Sequence, residues 1–558
     1  MKRFLAILCP TVGTMIRRPK DYSLLIIFSF LIFLPSCIRS CAKADKQNNV
    51  INIAVATPPE SLDSRYGTSA VASRISDLIY APLFNIGEDL LPEPFLAESI
   101  AALSNKSFKI KLRDNLSFHN GTPLKAQDVV YTYAQLNSPD VASPHAEQFE
   151  YIKSIRALNE LEIIFELKRP HAPFLTDLCN LGIVSQDSCK DRSQTCRHEN
   201  NGSGPYKLAH WDKAKESLYL EPFSNWFEGE PKNNLLIRVV RDENTRMLEL
   251  IGKKTDLIDS DISPINMQQL KKQSHLQISE VPGLGYSYIA FNLRGPRAED
   301  KPGSEEYKTR LALADKRVRK AIAHAIDVDQ IIQKILFNTA HRVSGLTPNG
   351  HWAKDETLKS PQFDPALAAL ELDEAGFKIE EPDNMRFKLV IATTTDRTRQ
   401  SVAQLYVDFL RRVNIDASVR IKDWSALYQD MKQGRFELFS ANWVPVMDPD
   451  LYYWVHHSAS IPHDNKGGGN RHAYINPEVD RLIDMGRSTM EPKKRKAIYQ
   501  KIERIMLDDM PYVPLWNEHR IVVQNHEKLR GFIPAITGSL LGLRKAYIQN
   551  SQALRATN

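Results

Sequence analysis

The clearest pattern in the first half of the chain is a polar–apolar alternation that gives way to a helical repeat. Lys109–Arg113 alternates, which predicts a half-buried strand, and apolar residues recur at helical spacing over Val129–Leu136. Asn120–Gly121 suits the tight turn between them, because both residue types tolerate positive φ. Thr122 can cap the helix and Pro123 fits its first position, where no backbone donor is missed. The segment therefore predicts strand, turn and capped helix.

Strand and helix patterns also alternate in the second half. Lys388–Thr393 predicts a strand, Gln400–Val413 a helix with one apolar face, and Ile415–Ile421 an alternating strand. A strand–helix–strand unit of this kind predicts a parallel pair of strands. Upstream, Tyr286–Asn292 predicts a strand and Asp315–Leu336 one long helix. The pattern therefore indicates an α/β protein.

Length and composition narrow the class of protein. The chain has 558 residues, too many for one hydrophobic core, so two or three lobes are expected. Apolar residues make up 42% and charged residues 25%, which fits a soluble globular protein, and a mean hydropathy of −0.37 excludes a polytopic membrane protein. Most of the formal charge of +6 lies in the N-terminal segment, and no basic patch indicates a nucleic-acid partner.

The N-terminus has the pattern of a targeting segment. Basic residues precede the apolar run Leu24–Leu34, which suits a signal peptide better than a membrane span. The following Leu-Pro-Ser-Cys37 resembles a bacterial lipobox. Residues 1–36 are therefore predicted to be a lipoprotein signal peptide, Cys37 the lipidated N-terminus and 37–47 a tether. Ordinary signal-peptidase cleavage, a retained single-pass anchor and a start at Met15 remain alternatives.

The cysteines and histidines supply little recognisable chemistry. Cys189–Cys196 is the preferred disulfide, because the loop between them is short and polar, although Cys179 nearby leaves the pairing open. A metal site is the alternative for these cysteines, but the spacing has no CxxC. Four histidines are the other candidates for a metal site, but their spacing matches no standard zinc site. We expect them to be structural, to face solvent or to contact a solute. They are His456, His457, His463 and His472.

The chain lacks the usual signatures of catalysis. No HExxH, GxSxG, phosphate-binding loop or dinucleotide-binding fingerprint is present. We therefore expect no enzyme activity, no cofactor and no metal.

Several separate stretches of the sequence resemble family 5 bacterial solute-binding proteins, and they occur along the chain in the order expected for that family. These proteins are the receptors of peptide- and nickel-type ABC importers. Residues 106–136 read KSFKIKLRDNLSFHNGTPLKAQDVVYTYAQL, and YSYIAFN is followed by RVRKAIAHAID. The resemblance implies an α/β, three-lobed periplasmic-binding-protein-like fold with mixed sheets and a hinged ligand cleft. The implied lobes are lobe I, discontinuous over 48–80, 202–293 and 519–548, lobe II over 81–201, and lobe III over 294–518.

The resemblance also implies which residues bind the ligand. Trp424 and Trp443 stand where peptide-binding relatives have cleft tryptophans, although both could equally be core residues. Asn442 and Tyr288 are assigned to the same cleft. Arg471 follows a glycine-rich stretch and could hold a ligand carboxylate or could face solvent.

One position departs from the peptide-binding pattern. Relatives usually have an Asp three residues after the second tryptophan, where it pairs with the ligand ammonium, and here Val446 occupies that place. A buried ammonium without a counter-charge is costly. Either the anchor is absent, or Asp448 replaces it. Asp448 could instead cap a helix over Leu451–Val455.

The expected function is capture of an oligopeptide or peptide-like solute and its delivery to an ABC permease. The protein is expected to be a monomer at the periplasmic or cell-surface side of the membrane, held by the lipid anchor. The alternatives are a binder of a non-peptide solute, such as a metal chelate, haem, sugar or opine, in the same fold, or an adhesin or exported enzyme.

Overall fold

The computed structural model describes residues 49–549 except 137, 139–142, 190–200, 260–261, 382–383, 444 and 464–466. The predicted signal peptide, Cys37, the whole of the predicted tether over 37–47 and Cys196 lie outside these residues, as does the Cys189 side chain. Cys179 is described, and its thiol donates to the Leu175 carbonyl oxygen at 3.3 Å.

The elements follow one another in mixed order. The strands are β1 (Val50–Val55), β2 (Phe84–Ile86), β3 (Pro92–Pro94), β4 (Ala97–Ser104), β5 (Ser107–Leu112), β6 (Ile152–Ala157), β7 (Glu162–Leu167), β8 (Tyr206–Asp212), β9 (Ser217–Pro222), β10 (Asn234–Val239), β11 (Leu257–Asp259), β12 (Leu276–Val281), β13 (Tyr286–Phe291), β14 (Ala340–Arg342), β15 (Lys388–Thr393), β16 (Asp416–Ile421), β17 (Leu438–Trp443), β18 (Tyr512–Glu518), β19 (Arg520–Asn525), β20 (Leu529–Arg530) and β21 (Tyr547–Ile548). The helices are α1 (Ala70–Ile79), α2 (Ala126–Leu136), α3 (Phe174–Asp177), α4 (Glu243–Ile251), α5 (Pro264–Leu270), α6 (Glu305–Ala314), α7 (Lys316–Ala325), α8 (Val328–Lys334), α9 (Pro365–Glu374), α10 (Arg397–Arg411), α11 (Trp424–Gln433), α12 (Leu451–His456), α13 (Pro477–Ser488) and α14 (Pro492–Asp509).

Two large sheets organise the described part of the chain. The first has the order β12-β19-β11-β1-β10-β9-β8, and the second β14-β18-β13-β17-β15-β16. The first sheet draws strands from distant parts of the chain, since β1 lies parallel to β11 and β19 pairs with both β11 and β12. The chain crosses between the two sheets at residues 282–285 and again at His519. The crossings place the ends of β13 and β18 next to the first sheet.

The second sheet contains the predicted parallel unit. β15 and β16 are parallel from the Lys388↔Asp416 pair to Thr393↔Ile421, and α10 connects them, which confirms the strand–helix–strand prediction. The sheet has a hydrophobic core on each face, as expected for a sheet covered on both sides. One core contains Ile289 and Leu389, and the other contains Tyr288.

Two helix predictions were wrong at their boundaries. The turn at Gly121 has φ 84° as expected, but α2 begins at Ala126, because Pro123 forms a β-bridge with Ser117 and the Asp128 carboxylate accepts the Lys125 N–H. The long helix expected over Asp315–Leu336 is two helices, α7 and α8. Ile326 is extended and Asp327 caps α8 through the Gln330 N–H, which interrupts the helical repeat.

Over the residues that the structure describes, no helix is both long enough and apolar enough to span a membrane.

Candidate functional site

The central strand β13 places two sets of side chains on opposite faces of the second sheet. Tyr286 faces Trp443 across the β13–β17 pair, and Ser287 faces Asn442. Successive side chains on a strand point to opposite faces. The side chains of Trp443 and Asn442, the last two residues of β17, therefore lie on opposite faces of the sheet and have different surroundings.

The first environment is an aromatic stack. The Tyr286 and Tyr288 rings lie 5.1 Å apart, and the Tyr288 and Trp443 rings 6.3 Å apart, both pairs within 9° of parallel. Tyr288 is buried, and this burial raises the pKa of its hydroxyl above the usual range. The indole Nε1 of Trp443 is also buried, with no acceptor among the described residues. The stack thus leaves a donor unused.

Arg471 extends this stack. Its guanidinium carbon lies 4.9 Å from the ring centre of Tyr428 and 4.9 Å from that of Trp443, so the cation is held between two aromatic rings. The residue is only 8% exposed, and its Nε has no acceptor among the described residues. No carboxylate in the described part of the chain lies within ion-pair distance of Arg471. Among the described residues, the guanidinium is nearly buried and has no carboxylate to neutralise it.

The backbone around Arg471 is firmly held. The buried amide of Asn470 donates to the carbonyl oxygens of His456, His457 and Tyr474 at 2.8–3.2 Å. Arg294 donates to the Arg471 carbonyl oxygen at 2.9 Å. These bonds hold the loop backbone, while the Arg471 guanidinium contacts the Tyr428 and Trp443 rings and the Tyr288 hydroxyl.

Trp424 joins the group through Tyr428. Trp424 is the first residue of α11, which Asp423 caps by accepting the Ala426 N–H, and Tyr428 lies one turn later with its ring 5.9 Å away. Trp424 is 48% exposed, so it is not a core residue. Trp424, Tyr428, Arg471, Trp443 and Tyr288 form one continuous series of contacts.

Asn442 lies on the other face, in a separate polar group. Its side-chain N–H donates to Glu518 Oε1 at 3.3 Å, and the Trp516 indole N–H donates to the same oxygen at 3.2 Å. Glu518 was not predicted from the sequence, because it lies 76 positions from Asn442, on β18. Tyr428 was not predicted either, although its four-residue spacing from Trp424 could have indicated it.

Asp448 makes a close ion pair within the protein. Its two carboxylate oxygens accept N–H groups of Arg495, on α14, at 2.7 and 2.5 Å, and one also accepts the Asp450 N–H. Burial alone would raise the pKa of Asp448, but the Arg495 charge outweighs it and the net pKa is lowered. Val446, two residues earlier, is buried. The residue that precedes α12, Asp450, makes no side-chain capping bond.

The histidine cluster is mostly interior. His456 Nδ1 and His472 Nε2 lie 3.1 Å apart, and burial lowers the pKa of both rings, that of His472 to about 3. His457 accepts the Ala459 N–H, and His463 is exposed. Within the described ranges, no three His, Cys, Asp or Glu side chains are arranged to hold a metal ion.

Known proteins are similar to this chain in sequence and in fold. Residues 92–461 match the family described as bacterial extracellular solute-binding proteins, family 5 Middle. The chain is 25% identical over 540 residues to the oligopeptide-binding protein AppA of Bacillus subtilis (strain 168), covering 90% of this chain and 95% of AppA.

Solved structures agree with the sequence match. Bacillus subtilis AppA in complex with a nonapeptide has a TM-score of 0.70 at 24% identity, covering 90% of this chain and 99% of AppA. NikZ of Campylobacter jejuni in complex with Ni(L-His) has a TM-score of 0.73 at 22% identity, covering 90% of this chain and 99% of NikZ. The predicted α/β periplasmic-binding-protein-like fold class is therefore confirmed. Because the family match spans more than half of the chain, this protein belongs to the family 5 bacterial extracellular solute-binding proteins.

Proposed function

We propose that this protein is the extracytoplasmic receptor of an ABC importer and captures an oligopeptide or peptide-like solute for delivery to the permease, without catalysis. The observation that carries the proposal is the Arg471 site. AppA, which is named as an oligopeptide-binding protein and has been solved with a nonapeptide, supports the choice of solute.

Arg471 supplies the chemistry for one end of such a solute. Removing a guanidinium from water is costly unless an anion or several acceptors replace the lost hydration. The aromatic rings of Tyr428 and Trp443 hold the cation in place but give it no acceptor oxygen. A solute carboxylate can accept two parallel N–H bonds from a guanidinium. The buried Trp443 Nε1 offers a further donor beside it.

A matched pair of peptides tests this role. The mature protein is incubated with a pool of synthetic tri- to nonapeptides, and native mass spectrometry identifies those retained. A retained peptide is then titrated by calorimetry with a free or an amidated C-terminus. We expect amidation to weaken binding by about 30-fold or more, because it removes the anion. Failure of the whole pool to bind would overturn the peptide proposal.

A metal chelate is the second candidate. Chelating solutes such as a nickel–histidine complex also carry a carboxylate that Arg471 could bind, and NikZ was solved with Ni(L-His). Val446 leaves no acid at its position for an ammonium. Titration with Ni²⁺ and L-histidine together, against L-histidine alone, separates this candidate from the peptide proposal. Binding that needs the metal, with no peptide bound, would favour it.

We also propose that the mature protein is a monomeric lipoprotein that begins at Cys37. The lipobox-like sequence supports acylation of Cys37, and more than one acyl chain is needed for firm attachment to the membrane. Cys37→Ala should either leave the precursor unprocessed or release the protein from the membrane fraction. Normal processing with unchanged membrane retention would contradict the lipid anchor.

The discontinuous lobe I over 48–80, 202–293 and 519–548 stays part of the proposal, with lobes II and III over 81–201 and 294–518. It is supported by the first sheet, which combines β1, β8–β12 and β19. Closure of the lobes around the solute is expected at the crossings between the two sheets. Small-angle scattering should show compaction when a retained peptide is added, and an unchanged radius at saturation would contradict closure.

A further inference from the structure

Glu518 occupies the junction of the two large sheets. β18 ends at Glu518 and β19 begins at Arg520, so only His519 separates the sheets at this crossing. The other crossing touches it, since a Cβ added to Gly283 would lie 1.7 Å from the Glu518 carbonyl oxygen. The Glu518 side chain is exposed and lies against Asn442, at the end of β17. Its carboxylate is therefore exposed where the two sheets meet.

Three neighbours fix the position of this carboxylate through one oxygen. Glu518 Oε1 accepts the Trp516 indole N–H at 3.2 Å, the Asn442 amide N–H at 3.3 Å and the Ser287 hydroxyl at 3.4 Å. The donors come from three adjacent strands, and Ser287 and Trp516 are buried. No described residue donates to Oε2, and no described Lys, Arg or His forms an ion pair with Glu518. The carboxylate is positioned, but within the described residues its charge is unpaired.

Two other acids that could take this role, Asp448 and Glu280, already have partners. Both oxygens of Asp448 bind Arg495. Glu280, at the same junction, pairs with Lys271 at 3.2 Å and approaches His519 at 3.4 Å. Glu518 is thus the carboxylate at this junction that keeps an oxygen for a cation from outside.

Glu518 and Arg471 lie on either side of the end of β17. Asn442 contacts Glu518 and the next residue, Trp443, contacts Arg471, and the two side chains point to opposite faces of the sheet. A solute laid across this strand end would meet an anion on one side and a cation on the other. A peptide with free termini carries the complementary pair of charges.

We propose that Glu518 is a specificity-determining residue that binds the α-ammonium group of the solute, while Arg471 binds its carboxylate. The proposal rests on the proposed function, and it narrows the solute class to zwitterions with a free primary amine. The oxygen Oε2 accepts the ammonium N–H groups, and the donors on Oε1 keep the carboxylate oriented.

The test uses a peptide retained from the synthetic pool, in free and N-acetylated forms. Calorimetry compares the wild type with Glu518→Gln and the control Glu280→Gln. The amide introduced by Glu518→Gln keeps an oxygen that can accept the bonds from Trp516 and Asn442, but it has no charge. We expect acetylation to weaken wild-type binding about 30-fold or more, and Glu518→Gln to weaken only the free-amine peptide by a similar factor. Glu280→Gln should leave both affinities unchanged.

The outcomes separate this proposal from the one it rests on. If the wild type binds both forms equally, or if Glu518→Gln weakens both forms equally, the ammonium role is overturned while peptide binding stands. If no peptide of the pool binds the wild type, the proposed function fails and this proposal fails with it. An equal effect of Glu280→Gln on the free-amine peptide would also overturn it, because the effect would then be general to the junction.

Discussion

Two nearly buried arginines in this protein have opposite surroundings. Arg495 is 6% exposed and gives two N–H groups to Asp448, with its Nε bound to the Gly486 carbonyl oxygen. Arg471 is 8% exposed and lies between two aromatic rings with no carboxylate among the described residues. Burial is nearly the same, but within the described part of the chain a carboxylate neutralises Arg495 and none neutralises Arg471.

We interpret Arg495 as a structural cation and propose that Arg471 is the one available to a ligand. The Coulombic attraction to Asp448 offsets the desolvation of Arg495, so that pair ties α14 to the segment before α12. Cation–π contact gives Arg471 only about 0.5–2 kcal/mol, less than the cost of removing a charge from water. We therefore expect Arg471 to be available to an anion that arrives from outside.

The largest expected effect comes from breaking the paired arginine. Arg495→Met leaves the Asp448 carboxylate buried without a partner, and we expect the free energy of unfolding to fall by about 3–5 kcal/mol. Urea unfolding followed by fluorescence measures this. The double variant Asp448→Asn/Arg495→Met should recover much of the loss, because neither charge then remains. A single-variant loss below about 1 kcal/mol would contradict the structural role.

The same substitution at the other arginine should act on binding instead. Arg471→Met removes an unneutralised charge and keeps an apolar side chain of similar length, so we expect the free energy of unfolding to change by less than about 1 kcal/mol. Affinity for a retained peptide should fall by about 2 kcal/mol or more, and the amidated peptide should be little affected. Unchanged peptide affinity together with a large fall in the free energy of unfolding would show that Arg471 is structural, which would contradict the comparison with Arg495.

Acid should remove the contribution of the Asp448–Arg495 ion pair to the free energy of unfolding. Arg471 has no such pair among the described residues, so we expect no corresponding loss there. The pKa of Asp448 is lower in the folded protein than in the unfolded chain, so its contribution to stability is complete above the unfolded pKa of about 4. It is lost as the pH falls through the folded value. The stability difference between wild type and Asp448→Asn, measured by urea unfolding from pH 7 to pH 3, should therefore shrink below about pH 4. A difference that stays constant to pH 3 would contradict the ion pair.

The smallest expected effect concerns the exposed end of the aromatic series. Trp424 is half exposed, so Trp424→Ala should change the free energy of unfolding by about 0.5 kcal/mol or less. We expect peptide affinity to fall by about 1 kcal/mol, because one aromatic wall is lost. Tyr547→Ala, an exposed aromatic far along the chain on β21, is the control and should leave affinity unchanged. Equal effects of the two variants would place Trp424 outside the site.

The sequence predicted local elements well where the pattern was long and continuous. Lys388–Thr393 is β15 as predicted, and the strand predicted over Tyr286–Asn292 is β13 over Tyr286–Phe291. The predicted helix boundaries were wrong where a local hydrogen bond or β-bridge set the boundary instead. At Asp327 a side-chain cap restarted the helix, and at Pro123 a β-bridge delayed it, although the hydrophobic spacing continued through both places.

The candidate site shows the same division. The resemblance to the family indicated Trp424, Trp443, Tyr288 and Arg471, and the structure brings these four residues into one series of contacts. The sequence could not assign a partner to Asp448, because Arg495 lies 47 positions away and several other cations are closer along the chain. Charge pairing depends on distance in space, which only the packing of α14 against the loop before α12 decided.

The sequence by itself therefore determined which elements form, which residues can face a core, and which side chains have chemistry suited to a solute. The tertiary structure decided which of those side chains keep a free charge. It placed β13 between β17 and β18, and so brought Glu518 to Asn442 across 76 positions of the chain. Periodicity is a local property that the sequence records directly. Whether a buried charge is neutralised is set by long-range contacts, which no local pattern contains.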